Sequence, residues 1–395
     1  MANHPTLRLH PGRDRRIRGG HPWVYSNELQ LDGAAKALLP GAVVNLAAAD
    51  GKLLGTGTFN LHSLIALRLY ARHPDAKLDT AFLAGRLRAA LALRERLFDR
   101  PYYRLIHAEG DGLPGIVIDR YGPVLAIQIN TAGAEALLPA LLAAVEAVLA
   151  PAAVVLRNDG DVRKFEGLAQ EVKLAHGTLS GAAEVEENGC RFLTDLLEGQ
   201  KTGWYFDLAI ARAEIARLAR GGKLLDLYCH TGAFAIQAAK HGATDVLAID
   251  RSELALDLAS RAATLNGVEG RCTFRKGEVF AELERLGAEK ARFATVVADP
   301  PSFVKSKKDL ATGTKGYRKL TRLAAQLVTP GGTLFVASCS HNMPAELFDE
   351  EIAQGLAAAN RTGRTLFSGG AGPDHPVPPQ VPETAYLKYQ ILQLD

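Results

Sequence analysis

From about residue 186 onward the chain alternates strand-like and helix-like stretches with a regularity that few folds accommodate. The strand-like runs are KLLDLY (223–228), DVLAID (245–250), RCTFRK (271–276), TVVAD (295–299) and TLFVASC (333–339), each followed by a helix-forming stretch. Apolar runs this continuous, with helices between them, require a parallel sheet covered on both faces. In such an open α/β sheet a ligand occupies the crevice at the carboxyl ends of the strands, so the residues just after each strand are the first candidates for chemistry. The stretch closes with TLFSGG and YLKYQILQL, joined by the proline-rich loop AGPDHPVPPQVPE and no helix. That ending predicts an antiparallel hairpin appended to an otherwise parallel sheet.

The preceding sequence is of another kind. Residues 1–73 carry short alternating segments such as AVVNLAAADGKLLGTGTFN, broken by Gly and Asp-Gly, which predict a small β-barrel or sandwich. KLDTAFLAGRLRAALALRERL (77–97) has helical spacing of Leu and Ala. Residues 102–185 mix strand-like runs with one helix, AEALLPALLAAVEAVL, and predict a small mixed α/β domain without a chemical motif. The expected division is therefore 1–73, 74–185 and 186–395.

Bulk properties exclude several classes. A chain that is 47% apolar and 23% charged has the composition of a folded globular protein. The amino-terminal stretch lacks the apolar run of a secretory signal, and no segment approaches the ~20 apolar residues of a membrane span. The expectation is a cytoplasmic protein without a membrane partner. Cys190, Cys229, Cys272 and Cys339 form no CxxC pair, which predicts neither a disulfide framework nor a metal site. The net charge of +3 is small, but basic residues cluster. One group holds Arg8, Arg13, Arg15, Arg16 and Arg18; another holds Lys305, Lys307, Lys308, Lys315, Arg318, Lys319 and Arg322.

Chemistry concentrates after the strands. The first strand leads through Asp226, Tyr228 and Gly232 to Phe234. A dinucleotide site needs GxGxxG so that main chain can hold a pyrophosphate, and that fingerprint is absent. One glycine with the acidic Asp226 suits S-adenosylmethionine, which has no pyrophosphate. Asp250, ending the second strand before Arg251, stands where an acid accepts from ribose hydroxyls, with Ser252 the better helix cap. Glu278 after the third strand can accept from an adenine amino group or serve the helix dipole.

The fourth strand ends in Asp299-Pro300-Pro301-Ser302-Phe303. Two prolines fix the backbone and remove two donors, leaving carbonyls and the acid to face the cleft. Such loops hold planar nitrogenous bases, the acid bonding a ring or amino nitrogen and the aromatic ring stacking. Cys339 ends the fifth strand. With a strand order of 3-2-1-4-5, Asp299 and Cys339 close neighbouring strands ~4.8 Å apart and can address one base. Carbon 5 of a pyrimidine is too poor a nucleophile to take a methyl group unless a thiolate first adds at carbon 6. Cys339 is the candidate nucleophile, aided by a nearby Lys or Arg, and Asp299 offsets charge developing on the base. A base must then remove the carbon 5 proton, with His341 or a water the available choices.

HPWVYSNEL (21–29), YYRLIHAEGDGLPGIVIDRYG (102–122), QKTGWYFD (200–207), DLYCHTGAFAIQAA (226–239), DPPSFVKSK (299–307), SCS (338–340) and DHPV with PETAYLK (374–388) together resemble the large-subunit ribosomal RNA cytosine-5 methyltransferases that begin with a PUA domain. The resemblance implies a PUA β-barrel over 1–73 that binds RNA, a class I methyltransferase domain over 186–395, S-adenosylmethionine as cofactor and ribosomal RNA as partner. It implies that Lys201, Thr202, Gly203, Tyr205 and Asp207 lie by the cofactor, and that Cys339 is the nucleophile. Arg15, Arg16, His21, Trp23, Pro301, Phe303, Lys305 and Lys307 are then the RNA-facing candidates. The resembling group includes dimers, which makes a homodimer an open expectation. Two departures stand out. The family's Asp-Gln-Arg is Asp207-Leu208-Ala209 here, for which Arg212 is the candidate to compensate, and a second cysteine used by another group of RNA cytosine-5 methyltransferases is replaced by Ser302. The competing readings are an amino-group methyltransferase acting on guanine or adenine, for which Cys339 is dispensable, and a non-catalytic RNA-binding assembly factor.

Overall fold

The computed structural model describes residues 4–199 and 202–395. Four sheets organise them. The first six strands, β1 (Thr6–Leu9), β2 (Trp23–Val24), β3 (Leu29–Gln30), β4 (Ala42–Ala47), β5 (Leu53–Phe59) and β6 (Leu67–Ala71), form a sheet in the order β2-β6-β5-β4-β1-β3. Only β1 and β4 run parallel; the other pairs are antiparallel. Leu7, Leu9, Val24, Val44, Leu46, Phe59 and Leu67 form its buried core. Two single-turn helices, α1 (Arg15–Arg18) and α2 (Gly33–Lys36), sit in its connections.

Helix α3 (Thr80–Leu97) follows, capped by Asp79, whose side chain accepts from the Phe82 amide at 3.0 Å. A second sheet holds β7 (Tyr102–His107), β8 (Ile116–Tyr121), β9 (Val124–Ile129), β10 (Ala153–Asn158) and β11 (Glu171–Gly177), hydrogen-bonded in sequence order. The segment read as one helix is two, α4 (Ala132–Ala136) and α5 (Leu138–Leu149). Pro139 has no N–H to give the Glu135 carbonyl, so the ladder breaks there.

After the hairpin of β12 (Ala183–Glu187) and β13 (Cys190–Thr194) comes helix α6 (Ala209–Leu218). Then β14 (Lys223–Leu227), α7 (Ala233–Lys240), β15 (Asp245–Asp250), α8 (Glu253–Leu265), β16 (Cys272–Lys276), α9 (Val279–Ala288), β17 (Phe293–Ala298), α10 (Leu310–Leu327), β18 (Val328–Ser338), α11 (Ala345–Ala358), β19 (Gly363–Gly369) and β20 (Lys388–Leu394) complete the chain. The sheet order is β16-β15-β14-β17-β18-β20-β19, parallel through β18 and antiparallel at β20 and β19. This is the 3-2-1-4-5 order with the terminal hairpin that the sequence predicts. Leu225, Leu227, Val296, Leu334 and Val336 pack with Tyr317, Leu320 and Phe348 in its core.

The described residues divide into two compact units. One draws on Met1–Ala183, Asp195–Trp204 and Pro373–Thr384; the other on Glu184–Thr194, Tyr205–Gly372 and Ala385–Asp395. No helix among the described residues is long and apolar enough to cross a membrane.

Candidate active site

The carboxyl ends of β14, β15, β17 and β18 carry the candidate site residues. Between β14 and α7 the backbone turns left-handed three times in five residues, at Tyr228 (φ 62°), His230 (φ 50°) and Gly232 (φ 78°). For Tyr and His such a conformation is strained and persists because surrounding bonds hold it. The Cys229 amide donates to the Ile249 carbonyl at 3.1 Å, the His230 amide to Asp250 Oδ2 at 2.9 Å, and the Gly232 amide to the Cys229 carbonyl at 2.8 Å. Asp250 therefore braces this loop; its Oδ1 also accepts from the Ser252 amide at 2.9 Å, while Ser252 itself caps α8. Each Asp250 oxygen keeps a lone pair for a ligand hydroxyl.

Asp226 is buried. Its Oδ2 accepts from the Ala235 amide at 3.1 Å, and its Oδ1 has no hydrogen-bond partner among the described residues. Burial pushes this carboxyl well above the usual range, and the charges of Asp299 and Asp250 push the same way. Asp207 likewise has a buried Oδ1 without a partner, while its Oδ2 accepts from the Tyr386 hydroxyl at 2.5 Å. Buried acceptors of this kind await donors. A ligand with an ammonium group and ribose hydroxyls supplies them, so these residues fit S-adenosylmethionine.

Burial raises the Tyr205 phenol, and the charges of Asp299, Asp207, Cys339 and Asp250 raise it further. That ring meets His230 edge-on at 5.3 Å. Phe234 packs on Phe335 at 5.0 Å beneath the Arg212 guanidinium. Tyr228, whose phenol burial also raises, feels Glu278 and Asp250. Glu278 is exposed at the start of α9 and makes no capping bond; Arg251 is exposed as well.

Asp299 and Cys339 close the neighbouring parallel strands β17 and β18, in a register that sets Ala298 against Val336. A run of hydroxyls frames Cys339. Ser302 Oγ lies 2.8 Å from Ser340 Oγ, Ser340 Oγ 2.9 Å from the Tyr317 hydroxyl, and Ser338 Oγ donates to that hydroxyl at 2.8 Å. The residues on either side of Cys339 are thus joined through Tyr317, and Ser302 attaches the proline loop to them. Pro300 is buried and Pro301 exposed. The Phe303 ring packs on Tyr317 (4.9 Å), faces Phe280 (6.2 Å) and lies against Gly316, where a Cβ would stand 3.0 Å from it. Much of that ring is buttress, and only the remainder is open to a base.

Lys388, at the start of β20, was not among the sequence candidates. Its Nζ donates to the Ser340 carbonyl at 2.8 Å and the Met343 carbonyl at 2.6 Å. Nothing in PETAYLK marks it; only the antiparallel return of β20 sets it opposite Ser338. His341 is exposed, its ring 5.2 Å from that of Tyr386. The other cysteines are free, and burial pushes the Cys190 thiol up to about 11 and the Cys272 thiol up to about 12.

Most of the remaining candidates fall in the first unit. Thr202 and Gly203 (φ 110°) belong to it, the Thr202 carbonyl accepting from the Tyr121 hydroxyl at 2.9 Å; Lys201 lies outside the described residues. Arg16 is held by Glu28 at 2.7 Å and its guanidinium covers Tyr25. His21 is buried beside Arg16, and Trp23 Nε1 donates to Glu109 at 2.8 Å. Arg15 is exposed, as are Lys305 and Lys307 of the other unit.

Residues 169–366 match the family model of S-adenosylmethionine-dependent methyltransferases, and residues 7–72 match that of PUA-like domains. A structure of SMU.776, a methyltransferase with S-adenosylhomocysteine bound, superposes with a TM-score of 0.84 at 20% identity, over 98% of this chain and 100% of that one. Fold and site define an S-adenosylmethionine-dependent methyltransferase. Relatives named ribosomal RNA large subunit methyltransferase I are 37% identical in Shewanella amazonensis, over 97% of both chains, and 34% identical in Pseudoalteromonas atlantica, over 96% of this chain and 97% of that one. The chain belongs to the family of these large subunit methyltransferases.

Proposed function

We propose that this methyltransferase modifies carbon 5 of a cytosine in large-subunit (23S) ribosomal RNA through a covalent adduct with Cys339. In this reading residues 1–73 are the RNA-binding PUA domain, 74–185 a central domain and 186–395 the catalytic domain. The observation that carries the reading is a cysteine framed by hydroxyls at the end of β18, beside the strand that ends in Asp299. An amino-group methyltransferase has no use for that thiol.

S-adenosylmethionine, when bound, supplies an electrophilic methyl group. Asp207, Asp226, Asp250 and Tyr205 hold it by their unsatisfied or half-used acceptors and ring, with Tyr228, Gly232, Phe234, Arg251, Glu278 and Pro300 lining the same strand ends; Lys201, Thr202 and Gly203 are assigned to it by resemblance alone. Cys339 adds at carbon 6 of the base, which turns carbon 5 into an enamine-like nucleophile. Asp299 faces ring nitrogen 3 and offsets the charge that develops there. Pro301 and Phe303 shape the base pocket. Exposed Arg15, Lys305 and Lys307 meet phosphates, and Arg16, His21 and Trp23, whose side chains are internally tied, shape the PUA surface. Affinity for RNA should accordingly fall as salt rises.

The test is tritium transfer from labelled S-adenosylmethionine into undermethylated ribosomal RNA, comparing the wild type with Cys339→Ala and identifying the nucleoside by mass spectrometry. Methylcytidine made by the wild type and absent with the variant is the expected result. An active variant, or a methylated purine, overturns the adduct.

A further inference from the structure

Lys388 is a cation with no carboxylate paired to it among the described residues, half withdrawn from water at the end of a sheet. Two of its three N–H bonds go to the carbonyls of Ser340 and Met343, and Ser340 directly follows Cys339. Burial lowers the pKa of its ammonium, and among the described residues the charge of Cys339 pulls it back up. The amine and the sulfur therefore stabilise each other's charged forms.

We propose that Lys388 is the proton-carrying partner of Cys339: as an ammonium it holds the sulfur as a thiolate, and as an amine it removes the carbon 5 proton that releases the enzyme from its adduct. The proposal rests on Cys339 being the nucleophile. Its logic lies in the third valence of the nitrogen. With the thiolate present, that valence is an N–H that neither carbonyl takes and that is left for the anion. When the thiolate adds to carbon 6 and becomes a thioether, the anion is gone and the half-dry ammonium gives its extra proton to water. The neutral amine still makes both carbonyl bonds and now carries a lone pair where the third proton was. Once carbon 5 bears the methyl group, the amine takes the carbon 5 proton. The C–H electron pair becomes the C5–C6 double bond, the C6–S bond breaks, and its electrons return to sulfur. The thiolate and ammonium are restored together, with no oxidant or further reagent required. His341, exposed beside Tyr386, is left without a necessary part in this step.

The experiment uses the full chain with Lys388→Met, Lys388→Arg and Cys339→Ala, each first shown to bind S-adenosylmethionine. Alkylation of Cys339 by iodoacetamide is followed against pH by peptide mapping, and denaturant-stable protein–RNA adduct is scored on gels with ribosomal RNA as substrate. Lys388→Met should slow Cys339 alkylation about 10-fold near neutrality. Lys388→Arg, which keeps the cation but cannot shed its proton, should alkylate within a few-fold of wild type. It should also accumulate adduct and turn over at least about 100-fold more slowly. An unchanged alkylation profile in Lys388→Met, or wild-type turnover in Lys388→Arg, overturns the proposal. Cys339→Ala separates the failures: if it still methylates RNA, the adduct chemistry itself is wrong; if it is dead while both Lys388 variants behave as wild type, only the role of Lys388 is.

Discussion

Arg212 Nη1 stands 2.8 Å from both carboxylate oxygens of Glu187, and the whole pair is buried. The other nitrogen, Nη2, donates to the Tyr205 carbonyl at 2.7 Å, so this ion pair fixes the backbone that carries Tyr205 and Asp207. Arg212→Ala takes the cation away from buried Glu187, which keeps the hydrogen bond from Gln237 Nε2 at 2.9 Å, and should cost about 3–5 kcal/mol in denaturant unfolding. It should also raise KM for S-adenosylmethionine. Equal stability of variant and wild type would show the pair to be dispensable.

Tyr317 joins Ser338 to Ser340 across Cys339. Tyr317→Phe keeps the ring packed on Phe303 and Phe348 and deletes only the shared hydroxyl. We expect about 1–3 kcal/mol of lost stability from the buried serine hydroxyls left short of a partner. kcat should fall further than the affinity for S-adenosylmethionine. A variant that loses affinity and keeps kcat would move Tyr317 out of the thiol frame.

Asp226 is a carboxylate held in a site that opposes its charge. Because its folded value is raised, the stabilising contribution is present at acid pH and lost as pH climbs above the ordinary carboxylate value. Asp226→Asn should therefore raise the melting temperature of the ligand-free protein at neutral pH. The same change should weaken S-adenosylmethionine binding by at least about 10-fold, since the buried Oδ1 loses its charge. Thermal shift with and without ligand reads both; a variant that is both less stable and equally avid contradicts the assignment.

His107 lies in the first unit, 4.9 Å ring to ring from His375, and burial holds its imidazole down to about 2. In the unfolded chain it takes a proton near pH ~6.5, so stability is full above that value and falls as the solution is acidified. Between about pH 6.5 and about pH 5 this group alone should remove roughly 2 kcal/mol. His107→Gln should flatten that part of the urea-midpoint profile, and an unchanged slope would assign the acid sensitivity elsewhere.

The sheet order and the positions of Asp226, Asp250, Asp299 and Cys339 were legible because each follows an apolar strand whose period speaks for itself. Gly232 was legible as a turn, but the left-handed Tyr228 and His230 were not, since side chains there oppose the conformation and only tertiary bonds impose it. Lys388 was invisible because its place depends on the register of an antiparallel pairing with β18. Phe303 carried a base-stacking expectation, but much of its ring serves to buttress α10 through Tyr317 and Gly316. The split of α4 from α5 turned on one proline within an otherwise unbroken helical pattern.

β20 lies between β18 and β19, although the ribosome makes it after both. Until it emerges, two strand edges of the nascent sheet stand apart with their ladders open, and Lys388 has not yet reached Ser340. Cys339 is thus synthesised well before Lys388, and a chain stalled short of β20 carries Cys339 without that neighbour. Synthesis order alone keeps Cys339 and Lys388 from meeting on an unfinished protein.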